Sequence, residues 1–241
     1  MLTRLKTIDF LKETAPFAEL DETFLMRFST YASDAYYSKG KLLFVNGDPA
    51  QSFYVVKSGR IKLFRQTPDG NIAITHILPS GHIFGETALF EQNVYSYSAE
   101  AIEDSCVLSI PLADLKREIE QTPALALAML DLMSKRQRRQ DCEIEHKTLQ
   151  SASQRIGCFL LQIIPENTKG ATTVRLPYDK TLLAARLGMQ PETFSRALSK
   201  LKTATGLQVK GGTIELKNVE NLIDFSCPSC SSEYPCHNLR K

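Results

Sequence analysis

Residues 179–200 read DKTLLAARLGMQPETFSRALSK, and this stretch decides the architecture. Asp179 is an N-cap residue by type, and Leu182, Leu183 and Leu187 then share one face of a helix. Gly188 permits the left-handed turn that ends it, and Met189 can plug the angle that follows. Pro191 opens a second helix at its first turn. On that helix Phe194, Ala197, Leu198 and Leu201 form an apolar stripe, while Glu192, Ser195, Arg196 and Ser199 face outward and Lys200 and Lys202 lie towards its end. Two helices joined through one tight glycine turn have helix–turn–helix spacing. A helix laid in the major groove reads bases with its exposed N-terminal half. Glu192 can accept from a cytosine amino group, Arg196 can donate twice to a guanine, and Ser195 is small enough to sit on a thymine methyl. The lysines suit phosphates, so double-stranded DNA is the expected partner. A plain helical hairpin would show the same stripe. What favours DNA is the hairpin that follows, Leu207–Lys210 and Thr213–Leu216 around Gly211-Gly212, together with the local charge.

That charge is uneven. Residues 1–150 hold 17 Lys+Arg against 20 Asp+Glu, a balance of −3, and residues 151–225 hold 10 against 6, a balance of +4. The whole chain, 241 residues at +2, names no partner, but an acidic N-terminal part and a basic C-terminal part predict two domains, the second suited to polyanions. Hydrophobic residues at 43 % and charged residues at 23 % exclude disorder and fibre. No apolar run reaches a membrane-spanning length and no charged-then-apolar leader opens the chain, so a cytoplasmic protein with no membrane contact is expected. No nucleophile–base pair, phosphate loop or paired-carboxylate motif is present, which argues against an enzyme.

Upstream, Leu11, Phe17, Leu20, Phe24, Leu25 and Phe28 predict short helices within residues 1–30. From Tyr36 to Ile110 short alternating runs are punctuated by Gly40, Gly47, Gly59, Gly70, Gly81 and Gly85, the pattern of an antiparallel roll. Leu112–Glu120 makes a short helix. Thr122-Pro123 then starts a long one that runs unbroken to about Leu149. Its first half is apolar almost all round, Leu125 to Met133, so one side can pack on the roll and the other needs cover. A second copy of the same helix supplies that cover most simply, which predicts a homodimer. The fold class is therefore α+β: a β-roll sensor domain over 1–120, a dimerisation helix over 121–150, a winged helix–turn–helix over 151–225, and a cysteine-rich tail over 226–241.

The run Gly188-Met189-Gln190-Pro191-Glu192-Thr193-Phe194-Ser195-Arg196 resembles the recognition element of the CRP/FNR superfamily of transcription regulators, and Glu-x-x-Ser-Arg resembles its FNR branch. The order of roll, Gly85-Glu86-x-x-Leu89-Phe90, long helix and winged helix–turn–helix agrees over about residues 5–220. The run Thr122 to Ala128 is similar to the DNR-type regulators of nitrogen-oxide respiration. The resemblance implies a cyclic-nucleotide-binding-type roll, bases of a TTGAT-type half-site under Glu192, Ser195 and Arg196, and RNA polymerase as a further partner.

The effector pocket of such a roll centres here on Glu86, Tyr97 and Ser98. Cyclic-nucleotide binders of the family carry an arginine before the Ser-Ala pair. This chain has Tyr97-Ser98-Ala99, and no Lys or Arg occurs between Arg65 and Lys116. A buried phosphate without a cationic partner is costly, so cyclic AMP is not expected and a cyclic-nucleotide-binding module is a weaker alternative.

The tail offers another sensor. Cys227-Pro228-Ser229-Cys230 is a C-x2-C pair, followed by Cys236 and His237. Two thiolates at that spacing can hold one metal centre, and a third closes a face. The tail is similar to that of FNR-like regulators with three C-terminal cysteines on a [4Fe-4S] cluster, with one extra residue before the third. The resemblance puts a non-cysteine ligand on the long helix. His237, or His146, Asp141 or Glu145 of that helix, could complete the set. Zinc on a Cys3His set and a heme-dependent nitric oxide sensor are the rival expectations, and the chain has only His76, His82, His146 and His237 for the latter. Cys106 and Cys158 read as packed core thiols, and Cys142 lies on a polar helix.

Overall fold

The computed structural model describes residues 2–165 and 168–231, with side chains from residue 5 onwards. Two compact units emerge, Met1–Ser134 and Lys135–Lys241.

In the first unit helices α1 (Leu2–Lys12) and α2 (Glu22–Phe28) precede eight strands. These are β1 (Ser33–Tyr37), β2 (Leu42–Phe44), β3 (Ser52–Ser58), β4 (Ile61–Gln66), β5 (Ile72–Leu78), β6 (Ile83–Phe84), β7 (Ser98–Ala101) and β8 (Ser105–Pro111). They form two antiparallel sheets in the orders β1-β8-β3-β6 and β2-β7-β4-β5, which is the expected roll. Phe53, Val55, Ile61, Phe84, Val107, Leu108 and Ile110 fill it, joined by Phe17 and Phe28 from the helical entry. Glu86 opens a short 3-10 helix, Glu86–Phe90, between β6 and β7. Gly85 makes that change of direction possible, with φ 85°.

Helix α3 (Leu112–Gln121) is tied to α2 by charge as well as by packing. Arg27 donates from Nε and Nη2 to the two carboxylate oxygens of Glu118, at 3.0 and 2.7 Å, and Tyr31 adds its hydroxyl at 3.3 Å. Glu118 is 1 % exposed, and its hydrogen bonds to Arg27 hold its carboxyl below the usual carboxylate range. A depressed folded value stabilises the unit above the unfolded value of about 4.3 and is lost as pH falls through the folded value. Arg27→Ala should therefore cost about 1.5–3 kcal/mol at pH 7, the worth of a charged hydrogen-bond pair. Denaturant melts should show that difference shrinking in acid; an equal loss at both pH values would refute the assignment.

Helix α4 (Pro123–Leu149) runs unbroken, as its sequence predicts. Leu125 and Met129, 0 % and 6 % exposed, join the roll's core, while Leu127 and Leu130 remain 67 % and 65 % exposed.

In the second unit α5 (Ala152–Ile163) opens at a reciprocal capping box formed by Ser151 and Gln154. Then follow β9 (Thr172–Arg175), α6 (Lys180–Arg186), α7 (Pro191–Thr205), β10 (Gln208–Lys210), β11 (Thr213–Leu216) and α8 (Val219–Ser226). The sheet order is β10-β11-β9, so the predicted hairpin gains β9 as a third strand. α8 was not anticipated. Leu160, Leu161, Leu183, Phe194, Leu198, Leu201 and Leu222 meet in one core.

Candidate functional site

The helix–turn–helix forms as its sequence dictates. The Asp179 side chain caps α6 by accepting from the Leu182 N–H at 2.8 Å. Gly188 adopts φ 66°, and Met189, 7 % exposed, hooks its N–H back to the Ala184 carbonyl at 2.9 Å. Pro191 is at the first turn of α7, and Gly206 ends that helix at φ 71°. Phe194, Ala197, Leu198 and Leu201 are all buried, which commits the opposite face to solvent. Glu192, Ser195, Arg196, Ser199, Lys200 and Lys202 are all exposed on it. One helix face thus presents an acceptor, a small hydroxyl, a fork of donors and two ammonium groups, the chemistry a major groove can use.

The same unit holds the described part of the cysteine tail. Cys227 ends α8, its N–H donating to the Ile223 carbonyl at 2.9 Å, and the Cys230 N–H donates to the Cys227 carbonyl at 3.1 Å. The C-x2-C pair is therefore a closed turn, stiffened by Pro228. The turn leans on the second half of α4. Cys230 Sγ stands 3.2 Å from His146 Nε2, and Ser231 donates to Glu145 from its N–H at 2.6 Å and its hydroxyl at 2.8 Å. From α5, Gln154 Nε2 donates to Ser229 Oγ at 3.2 Å while Gln154 Oε1 serves the capping box. His146 is 7 % exposed, and burial lowers its pKa below the usual histidine value. Its Nδ1 lies 3.6 Å from Cys158 Sγ, and Cys158 packs against Cys142. Cys158 is buried, as expected, but its sulfur faces an imidazole and another thiol, which the run Phe159-Leu160-Leu161 gave no sign of.

The five described cysteines all carry thiols, not disulfides. Among the described residues no group of three or more His, Cys, Asp or Glu side chains is gathered to hold a metal ion. Cys236 and His237 lie outside the described residues. Of the helix candidates, His146 and Glu145 meet the cysteine turn, whereas Asp141 accepts from Gln137 at 3.0 Å on the exposed side.

One turn of α4 is gripped twice. Arg186 of α6 donates through both terminal nitrogens to the two carboxylate oxygens of Glu143, three residues before His146. Both side chains are about one-fifth exposed, at 18 % and 23 %. The first helix of the helix–turn–helix and the cysteine turn therefore hold the same helical segment.

In the roll, Glu86 is 1 % exposed and follows Gly85. The Gly85 N–H donates to the Tyr97 hydroxyl at 2.7 Å. Tyr97 sits in an aromatic group with Phe44, whose ring centroid is 5.8 Å away, and Phe44 stacks on Tyr95 at 3.6 Å. Ser98 Oγ accepts from the Asn46 N–H at 3.0 Å. The phenol thus occupies a backbone donor beside Glu86 that an anion would otherwise approach. His76 is paired within β5 opposite Leu63, and His82 Nδ1 is 3.4 Å from the Ser80 carbonyl oxygen.

No helix among the described residues is long and apolar enough to cross a membrane. A family model for the cyclic nucleotide-binding domain matches residues 35–122, and one for the Crp-like helix-turn-helix domain matches residues 154–225. A cyclic AMP receptor protein of Thermus thermophilus is 30 % identical over 197 residues, covering 82 % of this chain and 89 % of that protein. A fumarate and nitrate reduction regulatory protein of Yersinia pestis is 29 % identical over 191 residues, covering 78 % of this chain and 76 % of its own. The sensor domain of the transcriptional regulator DNR from Pseudomonas aeruginosa superposes with a TM-score of 0.53 at 26 % identity, over 56 % of this chain and 91 % of that one. Both folded units, in this order and with these matches, place the chain in the CRP/FNR family of DNA-binding, dimeric transcription regulators.

Proposed function

We propose that this chain is a homodimeric regulator that responds to oxygen, redox state or nitric oxide through a cofactor held by Cys227, Cys230 and Cys236, and that it reads a TTGAT-type palindrome. The observation that carries the reading is the shared turn of α4. Glu143 receives Arg186 of the helix–turn–helix, while Glu145 and His146 receive the cysteine turn. What supports an iron–sulfur group is the type of donor present: two thiols in one closed turn beside a helix that brings a nitrogen and a carboxylate. When bound, a [4Fe-4S] cluster supplies reversible electron transfer and reaction with oxygen or nitric oxide. The chain's own residues do the rest. The Cys227–Cys230 turn holds its thiols, Glu145 pins Ser231, and Glu143 keeps α6 on the helix that pairs with its copy. Loss of the thiolate anchor releases the turn from α4 and alters how that helix packs. In the roll, the Tyr97 hydroxyl on the Gly85 N–H and the tyrosine that stands where cyclic-nucleotide binders carry an arginine favour a pocket that takes no cyclic nucleotide.

Anaerobic protein should be brown and should bind its palindrome more tightly than air-exposed protein. A chain truncated after Asp224 that still distinguishes the two atmospheres would return the search to the roll, where a sharp Soret band would mark heme. On the DNA side, Arg196→Ala should cost about 1–3 kcal/mol at one guanine and relax the choice of base there. Lys200→Ala should weaken all sequences alike and lower the salt slope by about one ion. Competition binding on specific and random duplexes separates the two roles; equal losses for both variants on both duplexes would merge them.

A further inference from the structure

Helix α4 passes to α5 through Gln150 and Ser151, and this junction has a feature that reading DNA does not need. Gln150 is 6 % exposed, yet neither its amide nitrogen nor its amide oxygen meets a hydrogen-bond partner among the described residues. Burying an unpaired amide is costly, so the junction is a place where the chain gains by rearranging.

A pair of thiols brackets it. Cys142 lies eight residues before Gln150 on α4, Cys158 lies eight residues after it on α5, and the two side chains pack together. Both sulfurs are free of disulfide. Cys158 is 5 % exposed, whereas Cys142 is only partly buried, so a small oxidant reaches the pair from the Cys142 side. Around Cys158 the polar contacts suit a sulfur that gives up its proton. His146 Nδ1 stands 3.6 Å from Cys158 Sγ, and Gln162 Nε2 donates to the same sulfur at 3.7 Å. A thiol beside an imidazole and a second donor is a better nucleophile than one in an apolar core.

We propose that Cys142 and Cys158 form a disulfide site, closed by a hydroperoxide and reopened by a thiol reductant, that braces α4 against α5 across their junction. One oxygen of hydrogen peroxide passes to the Cys142 sulfur as the O–O bond breaks, giving a sulfenic acid and one water. The Cys158 sulfur then displaces the hydroxyl from the Cys142 sulfur, and that hydroxyl leaves with the Cys158 proton as a second water. In sum the two thiols lose two electrons and two protons to the peroxide, and one S–S bond forms. The product closes residues 142–158 into a ring and removes freedom from the joint between the long helix and the DNA-binding unit. No tail cysteine and no metal takes part, so the site goes beyond the cofactor reading and stands without it.

The test uses the full-length chain freed of metal, both unaltered and carrying Cys227→Ser, Cys230→Ser and Cys236→Ser together, treated with hydrogen peroxide. Tryptic digestion without reductant should yield peptide 140–147 joined to peptide 156–169, lighter by two hydrogens than the separate pair, and dithiothreitol should part them. Amide exchange over residues 148–155 should slow about tenfold or more on oxidation and recover on reduction. Cys142→Ser and Cys158→Ser should each abolish the link, and Cys106→Ala should leave it intact. Thiols that stay reduced, or a sulfenic or sulfinic acid at Cys142 without the link in the triple variant, would overturn the site. So would an unaltered chain in which peptide 140–147 joins only peptide 218–240, which carries the tail cysteines. A link that forms with unchanged exchange would overturn the bracing. A chain that takes up no iron, yet forms the link, would end the cofactor reading and leave this site standing.

Discussion

Leu130→Asp should sediment as a monomer where the unaltered chain sediments as a dimer. Leu130 is 65 % exposed and Leu127 is 67 % exposed on a helix whose Leu125 and Met129 are already committed to the roll. From Leu127 the outward positions fall at 130, 134, 137, 141 and 144, with Ile144 62 % exposed. Steps of three and four make a seam that a second copy of the helix can meet. In a two-fold interface each substitution counts twice, and each buried leucine is worth about 1.5–3 kcal/mol. A carboxylate placed opposite its own copy adds repulsion in a site losing water. The loss on DNA should be larger than any single base contact. Two half-sites read by a joined pair gain about 10²–10⁴ in affinity over one half-site, and the monomer forfeits that gain. Sedimentation velocity and binding to a palindrome and to a half-site would check both parts. A protein that stays dimeric would move the interface elsewhere, and a monomer with undiminished palindrome affinity would sever dimerisation from recognition.

Much of this was legible in residues 179–216, because each local signal there agrees with the fold. Asp179 caps, Gly188 turns at positive φ, and the apolar stripe of α7 is buried while its polar face is exposed. The long helix was legible because Pro123 opens it and no glycine or proline interrupts it before Leu149. The tail site was only half legible. The C-x2-C spacing is local and visible, but the side chains that meet it are distant in the chain: His146 lies 84 residues from Cys230, and Ser231 lies 86 residues from Glu145. No periodicity encodes such an approach. The apolar run after Cys158 marks it as a core thiol, and the neighbours its sulfur meets, Cys142 and His146, come from another helix. α8 was missed for a similar reason. Val219–Ser226 is short and its start is signalled only by Asn218, whose side chain accepts from the Glu220 N–H at 2.9 Å. Its apolar residues then follow no long stripe that would separate it from a loop.

The other large effect is expected at Gly157, where α5 and α8 touch. A Cβ at that position would stand 2.0 Å from Ser226 Oγ and 3.2 Å from both Ser226 Cβ and Leu222 Cδ1. Glycine in a helix interior ordinarily weakens it, by about 1 kcal/mol relative to alanine. Here the missing side chain is what lets α8 approach, and α8 ends one residue before Cys227. Gly157→Val adds three carbons to a filled contact and should destabilise the second unit by about 3 kcal/mol, the upper range of overpacking. The cause can be isolated. Ser226 is 0 % exposed and its hydroxyl has no hydrogen-bond partner among the described residues, so Ser226→Ala should be neutral or slightly stabilising. Gly157→Ala alone should cost about 1–3 kcal/mol, because the steric term exceeds the gain in helix propensity. Combined with Ser226→Ala it should recover most of that loss, giving a strong non-additive coupling in a double-mutant cycle. Denaturant melts of the four proteins measure it. The same set reports on the tail: as α8 is displaced, Cys227 and Cys230 leave the face of α4, so iron uptake should fall with Gly157→Ala and return with the double variant. Additive energies would show that the close approach is not what sets the geometry, and unchanged iron uptake in a destabilised Gly157→Val protein would separate α8 from the cysteine site.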